Sequence, residues 1–141
     1  MAMTIQLDIV SAEAEIFSGA AEMVFAPAVM GEVGISPRHS PMITRLKPGE
    51  VRAKLPGGKE ESFYVSGGIL EVQPFVVTVL SDTALRARDV DEAAALAAKE
   101  HAEKAMGERK TDMDLAKARA EMAEAMAQLQ AIDRLRKTKV R

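Results

Sequence analysis

The spacing of apolar residues changes once along this chain, and that change sets what it can fold into. Through residues 4–82 apolar side chains recur at every second position. In residues 4–10, Ile5, Leu7 and Ile9 fall on one side of an extended backbone, and Thr4, Gln6 and Asp8 fall on the other. Val51, Ala53 and Leu55 alternate with Arg52 and Lys54 in the same way. Such alternation marks strands with one buried face. Residues 22–27, 62–74 and 75–82 are denser in β-branched and aromatic side chains, as strands inside a sandwich are. Turn residues separate these runs at Ser18-Gly19, Pro48-Gly49, Pro56-Gly57-Gly58, Gly67-Gly68 and Pro74. Many short strands punctuated by Gly and Pro predict an antiparallel sandwich or barrel.

After Asp82 the chain holds no proline and a single glycine, Gly107. Asp89 or Asp91 is placed to cap a first helix, because an aspartate oxygen accepts from the free N–H groups of an opening turn. Gly107 ends that helix, residues 108–112 turn the chain, and Thr111, Asp112 or Asp114 caps a second. Leu115, Ala118, Met122, Met126, Leu129 and Ile132 then recur three or four apart in a single apolar stripe. The first helix offers Leu96, Ala97, Ala102, Ala105 and Met106 as its matching face. Alanine allows close approach but buries little area, at roughly 25 cal/mol per Å². A loosely held, antiparallel two-helix hairpin is therefore expected. The two parts are expected as a β-sandwich domain, 1–86, and a helical hairpin domain, 87–141.

Charge divides along a similar boundary. Residues 1–82 carry six basic and ten acidic side chains, a net of −4, and residues 83–141 carry thirteen and eleven, a net of +2. The overall net charge of −2 argues against a nucleic-acid binder, which needs a basic footprint. The positive excess gathers at the end, in Arg134, Arg136, Lys137, Lys139 and Arg141. Those cations either complement the helix dipole or meet an acidic partner. The N-terminus has no basic n-region and no continuous apolar h-region, so no secretory signal is read there. No window approaches the ~18 apolar residues of a membrane span, so direct insertion into a membrane is not expected.

A catalytic reading finds no residues to carry it. There is no cysteine, and the two histidines, His39 and His101, lie in different halves. No HExxH or comparable metal spacing occurs, and His101, beside Glu100 among alanines, reads as a helix-surface residue. Gly57-Gly58-Lys59 lacks the GxxxxGK[ST] spacing of a phosphate loop, and Gly67-Gly68 lacks GxGxxG. Ser66 has no nucleophile-elbow pattern around it. Neither an enzymatic activity nor a cofactor is expected.

One stretch concentrates turn chemistry without catalytic residues. Residues 31–51 hold Gly31, Gly34, Gly49, Pro37, Pro41 and Pro48, together with Arg38, His39, Arg45 and Lys47. Gly31-Glu32-Val33-Gly34-Ile35 is similar to the "GE[LV]GI" segment of the epsilon subunits of F-type ATP synthases. Pro37, His39, Pro41 and the run to Lys47-Pro48-Gly49 resemble that family's "PxHxPxxTxLKPG" continuation. Ser66-Gly67-Gly68-Ile69-Leu70-Glu71-Val72 and Val77-Thr78-Val79-Leu80 resemble its "SGGFLEV…VTVLAD" strands. Arg86-Ala87 and Asp89-Val90-Asp91 resemble the "RAxDID" opening of its first helix. The likeness runs in order along nearly the whole chain.

The resemblance implies a ten-stranded β-sandwich at the foot of a central stalk, gripping the gamma subunit and resting on a ring of membrane-embedded c subunits. Glu32 matches the position that faces the polar loops of the c-ring, and Arg38 and His39 lie near where gamma is contacted. Arg38 stands where many members carry glycine. His39 serves either a contact or the bracing of the Pro37–Pro41 turn. The subunit is expected to be peripheral, at the cytoplasmic face of a bacterial inner membrane. In some members the hairpin extends into the alpha/beta head and its basic residues restrain ATP hydrolysis, which gives the tail from Arg134 to Arg141 a role. Other members bind ATP through [IL]DxxRA, which reads here Val90-Asp91-Glu92-Ala93-Ala94-Ala95. Asp91 is kept and Ala94 replaces the arginine, so ATP binding is expected to be weak or absent. Two other readings stay open at this point: an ATP-sensing regulatory module on the same fold, and an independent β-sandwich binding module with a helical dimerisation arm.

Overall fold

The computed structural model describes residues 3–107 and 112–139, excluding the side chains of 93, 112–114 and 137–139. Residues 108–111 of the turn expected over 108–112, the capping side chains of Thr111, Asp112 and Asp114, and the tail side chains of Lys137, Lys139 and Arg141 lie outside the described residues. The chain divides into two compact units, Met1–Arg86 and Ala87–Arg141.

The first unit is a ten-stranded sheet. Its strands are β1 (Ile5–Ser11), β2 (Glu15–Ala21), β3 (Met23–Ala28), β4 (Gly31–Ile35) and β5 (Met42–Leu46), then β6 (Gly49–Lys54), β7 (Glu60–Val65), β8 (Gly68–Val72), β9 (Val76–Ser81) and β10 (Ala84–Arg86). They pair in the order β10-β7-β6-β3-β5-β8-β9-β1-β2, with β4 paired to β3 off that path. The sheet curls until β10, at one end of the order, meets β1 and β2 at the other. Curling turns one face of every strand inward. Ile5, Leu7, Ile9, Val24, Ala26, Ile35, Val51, Ala53, Phe63, Val65, Leu70, Val72, Val77 and Val79 fill that interior. The alternating positions of β1 and β6 fall inside as their spacing predicts.

Two features depart from the simplest expectation. β1 and β9 pair in parallel, whereas every other pair is antiparallel. These strands are joined by most of the domain, so no hairpin dictates their direction. Ser18-Gly19 is not a turn: Gly19 lies within β2, opposite Leu7. A Cβ on Gly19 would come within 3.1 Å of the Phe17 ring, so glycine here makes space for an aromatic side chain. The turn before β2 is built instead by Ser11, whose hydroxyl accepts from the N–H groups of Glu13 and Ala14.

The second unit opens with a 3-10 turn, Ala87–Asp89, and continues as α1 (Glu92–Gly107) and α2 (Asp112–Lys139). Asp91 caps α1, its Oδ1 accepting from the Ala94 N–H at 3.3 Å. The two helices pack on one another as an antiparallel hairpin, with Glu92 near Arg136 and His101 near Glu121. The expected face of α1 is rotated. Ala95 and Ala102 are fully buried, whereas Leu96 and Ala97 are exposed. On α2, Ala118, Ala125 and Ala131 are buried, Leu115, Met122, Leu129 and Ile132 are half-buried, and Met126 is exposed. Pairs seven apart, 95/102 and 118/125, repeat on one helical line, and alanine along that line brings backbones together. The longer side chains then flank the line. His101 is exposed, with Nδ1 3.7 Å from Glu121 Oε2, as a helix-surface histidine should be.

Candidate functional site

The outer face of the sheet around β4 carries the sequence-flagged acid. β3 and β4 form a tight hairpin in which Pro27 lies opposite Glu32 and Phe25 opposite Gly34. Val29 and Met30 make its tip and are exposed, Met30 at 92%. Since Ile35 is buried, alternation along β4 turns Glu32 outward. Glu32 does not project alone. Its Oε1 accepts from Arg52 Nη2 at 2.7 Å. Arg52 lies on β6, in register with Phe25, and its guanidinium sits 4.6 Å above the Phe25 ring. Its other amino group, Nη1, is 4.0 Å from Glu60 Oε1 on β7. Lys54 Nζ approaches the same ring at 5.8 Å. Four neighbouring strands thus contribute Glu32, Phe25, Arg52 and Glu60 to one surface.

The segment after β4 is a turn with its own anchors. The His39 N–H donates to the Ser36 carbonyl at 3.2 Å, and the Arg38 N–H donates to the Pro74 carbonyl at 2.8 Å. Arg38 adopts φ 65°, the left-handed region that costs a side-chain-bearing residue about 1–2 kcal/mol. Its side chain is exposed. His39 Nδ1 lies 2.7 Å from the Ser40 carbonyl oxygen. A carbonyl only accepts, so Nδ1 is the donor and the imidazole is tied to its own turn. Of the three residues singled out here by sequence, Glu32 stands in a strand, and Arg38 and His39 stand in the turn beyond it. Among the described residues Glu32 is paired with Arg52, not with Arg38 or His39.

Arg52 and Phe25 were not flagged by the sequence. Arg52 is 20 residues from Glu32, and only the β4–β3–β6 pairing brings them together. A second outward region lies on β5, β8 and β9. Ile69 pairs with Leu80 and Arg45, Ile43 pairs with Glu71, and Ile43, Ile69 and Leu80 are exposed.

In the helical unit, Arg134 and Arg136 lie on the last turns of α2. Arg136 Nη2 is paired with Glu92 Oε2 at the opposite end of α1, so one tail cation is held within the hairpin. Ala94 is exposed on the first turn of α1. Among the described residues no cluster of three or more His, Cys, Asp or Glu is arranged to hold a metal ion, and no helix is long and apolar enough to cross a membrane.

The chain as a whole matches known proteins. Residues 4–87 match the family model for the beta-sandwich domain of the ATP synthase delta/epsilon chain, and residues 88–133 match that for its long alpha-helix domain. The chain is 69% identical to the ATP synthase epsilon chain of Nitrosococcus oceani, over 97% of its own length and 98% of that protein. It is 60% identical to ATP synthase epsilon chain 1 of Methylococcus capsulatus, again over 97% and 98% of the two. A chain in the mitochondrial ATP synthase of Euglena gracilis superposes with a TM-score of 0.81 at 19% identity, covering 92% of this chain and 81% of that one. At that identity the superposition speaks to fold alone.

Proposed function

This chain belongs to the delta/epsilon family of ATP synthase subunits, as an epsilon chain, and from that premise we propose that it does no bond chemistry itself and couples the motions of other subunits. It turns with the gamma subunit in the central stalk and rests on the c-ring, passing torque from proton flow to the catalytic head. Its place is peripheral, at the cytoplasmic face of a bacterial inner membrane. The observation that carries this reading is the match to epsilon chains along nearly all of both lengths, through the sandwich and the hairpin alike.

The geometry suits such work. Transmitting torque requires a body that does not shear, and a sheet whose ends meet leaves few strands free to slide. Glu32 meets the ring from a strand, and strands hold side chains more firmly than loops do. Arg38 and His39 face gamma from a turn whose backbone is pinned to Pro74 and Ser36. The hairpin is a separate unit whose basic tail, Arg134 to Arg141, reaches an acidic surface of the alpha/beta head and restrains hydrolysis. Units 1–86 and 87–141 act as stalk module and brake. No cation stands at position 94 to meet a phosphate, so the brake is not set by ATP binding to this subunit.

The test is reconstitution of the complete synthase into sealed vesicles with and without this chain. Proton-driven ATP synthesis that requires the chain, and gamma that co-purifies with it, agree with the proposal. Full synthesis without it overturns the coupling role.

A further inference from the structure

We propose that Arg52 is a positioning residue for the c-ring contact: it holds Glu32 as one half of a preformed ion pair, and selects a neutral hydrogen-bond donor as its partner. This rests on the reading of Glu32 as a ring contact. An exposed glutamate on an edge strand has three rotatable bonds, and fixing them on docking costs entropy. Here Arg52 has already fixed one carboxylate oxygen, at 2.7 Å. Arg52 is itself the less exposed partner, 26% against 49%, and is held by the Phe25 ring beneath it and Glu60 beside it. The order therefore runs outward from the sheet: Phe25 and Glu60 seat Arg52, and Arg52 seats Glu32.

Electrostatics then sets what Glu32 accepts. Glu32, Glu60, Arg52 and Lys54 sum to zero charge on this face. A cation arriving at Glu32 competes with Arg52 and meets its repulsion. A backbone or amide N–H, or a hydroxyl, meets neither penalty and bonds to Oε2. Among the described residues, that oxygen has no hydrogen bond within the chain. The group selected at Oε2 is a neutral donor on the facing loop.

Full-length variants, assembled with the rest of the soluble head and stalk, are titrated against membranes stripped to the ring-bearing sector, and melting is recorded in parallel. Glu32→Ala is expected to weaken binding about tenfold and Arg52→Gln about fivefold, with Glu32→Ala/Arg52→Gln no weaker than Glu32→Ala alone. Arg52→Lys keeps the charge but not the planar fork or the stacking, so about a twofold loss is expected. The swap Glu32→Arg/Arg52→Glu re-forms the pair in reverse. Its melting returns toward that of the unmodified chain while binding stays weak, a split that a merely structural salt bridge does not produce. If Glu32→Ala weakens binding and the Arg52 variants do not, the positioning role falls and the ring contact stands. Additive losses overturn it as well, since Arg52 then acts apart from Glu32. If neither weakens binding, the Glu32 contact has failed, and the positioning role fails with it.

Discussion

Gly68 abuts the carbonyl oxygen of Leu80 so closely that any Cβ at that position would overlap it. The same Cβ would lie 2.9 Å from the Ser81 Cα, and Gly68 holds φ 125°, where side-chain-bearing residues are rare. Backbone strain and backbone overlap act together here, and neither has a flexible side chain to relieve it. Gly68→Ala is expected to destabilise the sandwich by about 3 kcal/mol, read from urea unfolding. Gly67→Ala shares the positive φ, at 113°, but meets its nearest atom only at 3.3 Å, so its loss should be smaller. Equal losses for the two would show that φ alone matters.

Arg38 presents the reverse case. It is a side-chain-bearing residue in the left-handed region, at φ 65°, with its N–H committed to Pro74. Glycine takes that conformation without steric cost, so Arg38→Gly should stabilise the folded chain by roughly 0.5–1 kcal/mol, less whatever flexibility glycine adds to the unfolded state. A melting temperature raised by a few degrees checks this. A lowered one would mean that the exposed guanidinium makes contacts worth more than the strain.

Much of this architecture is legible in the sequence for a definite reason. Period two survives along β1 and β6 because each has one wet face and one dry face, and Ile5, Leu7, Ile9, Val51 and Ala53 all point inward. Local chemistry was readable too: Gly57 and Gly58 turn the chain between β6 and β7 with positive φ, and Asp91 caps α1. What stayed hidden depends on partners distant in sequence. Gly19 reads as a turn residue until Phe17 is seen to fill its space. The parallel β1–β9 pair has no local signature. At the candidate contact, Glu32 was visible as a motif residue, but the Arg52 that holds it was merely the polar half of an alternating strand. Alanine-rich helices hide their own packing face, because Ala95 and Ala97 look alike until one is buried and the other exposed.

The first turn of α1 bears on nucleotide sensing. Asp91 spends one oxygen on the Ala94 N–H, a structural use that explains its presence without any ligand. Asp91→Ala should cost α1 about 1 kcal/mol of stability, seen as faster amide exchange in its first turns. Calorimetry of the full chain with ATP in the millimolar range should show no saturable heat, because position 94 supplies no cation for a phosphate. Saturable binding that Asp91→Ala abolishes would assign the aspartate to a nucleotide after all.

Glu92 and Arg136 close the open end of the helical hairpin, and their exposure decides how strongly. Arg136 is 64% exposed and Glu92 38%, so water screens the pair and its worth is about 0.2–1 kcal/mol. If the hairpin moves between a packed and an extended state, as the proposed braking role requires, a latch that weak lets small changes redistribute the two. Glu92→Gln removes the internal partner of Arg136 and leaves the cation free for the catalytic head. Inhibition of ATP hydrolysis by the reassembled complex should therefore rise, by up to about fivefold in the apparent inhibition constant. Arg136→Gln breaks the same pair but also deletes the cation, so its inhibition should fall. Opposite signs from the two halves of one salt bridge separate a tail that acts on the head from one that only packs. If both variants shift hydrolysis in the same direction, Arg136 serves the hairpin alone and the inhibitory contact lies elsewhere.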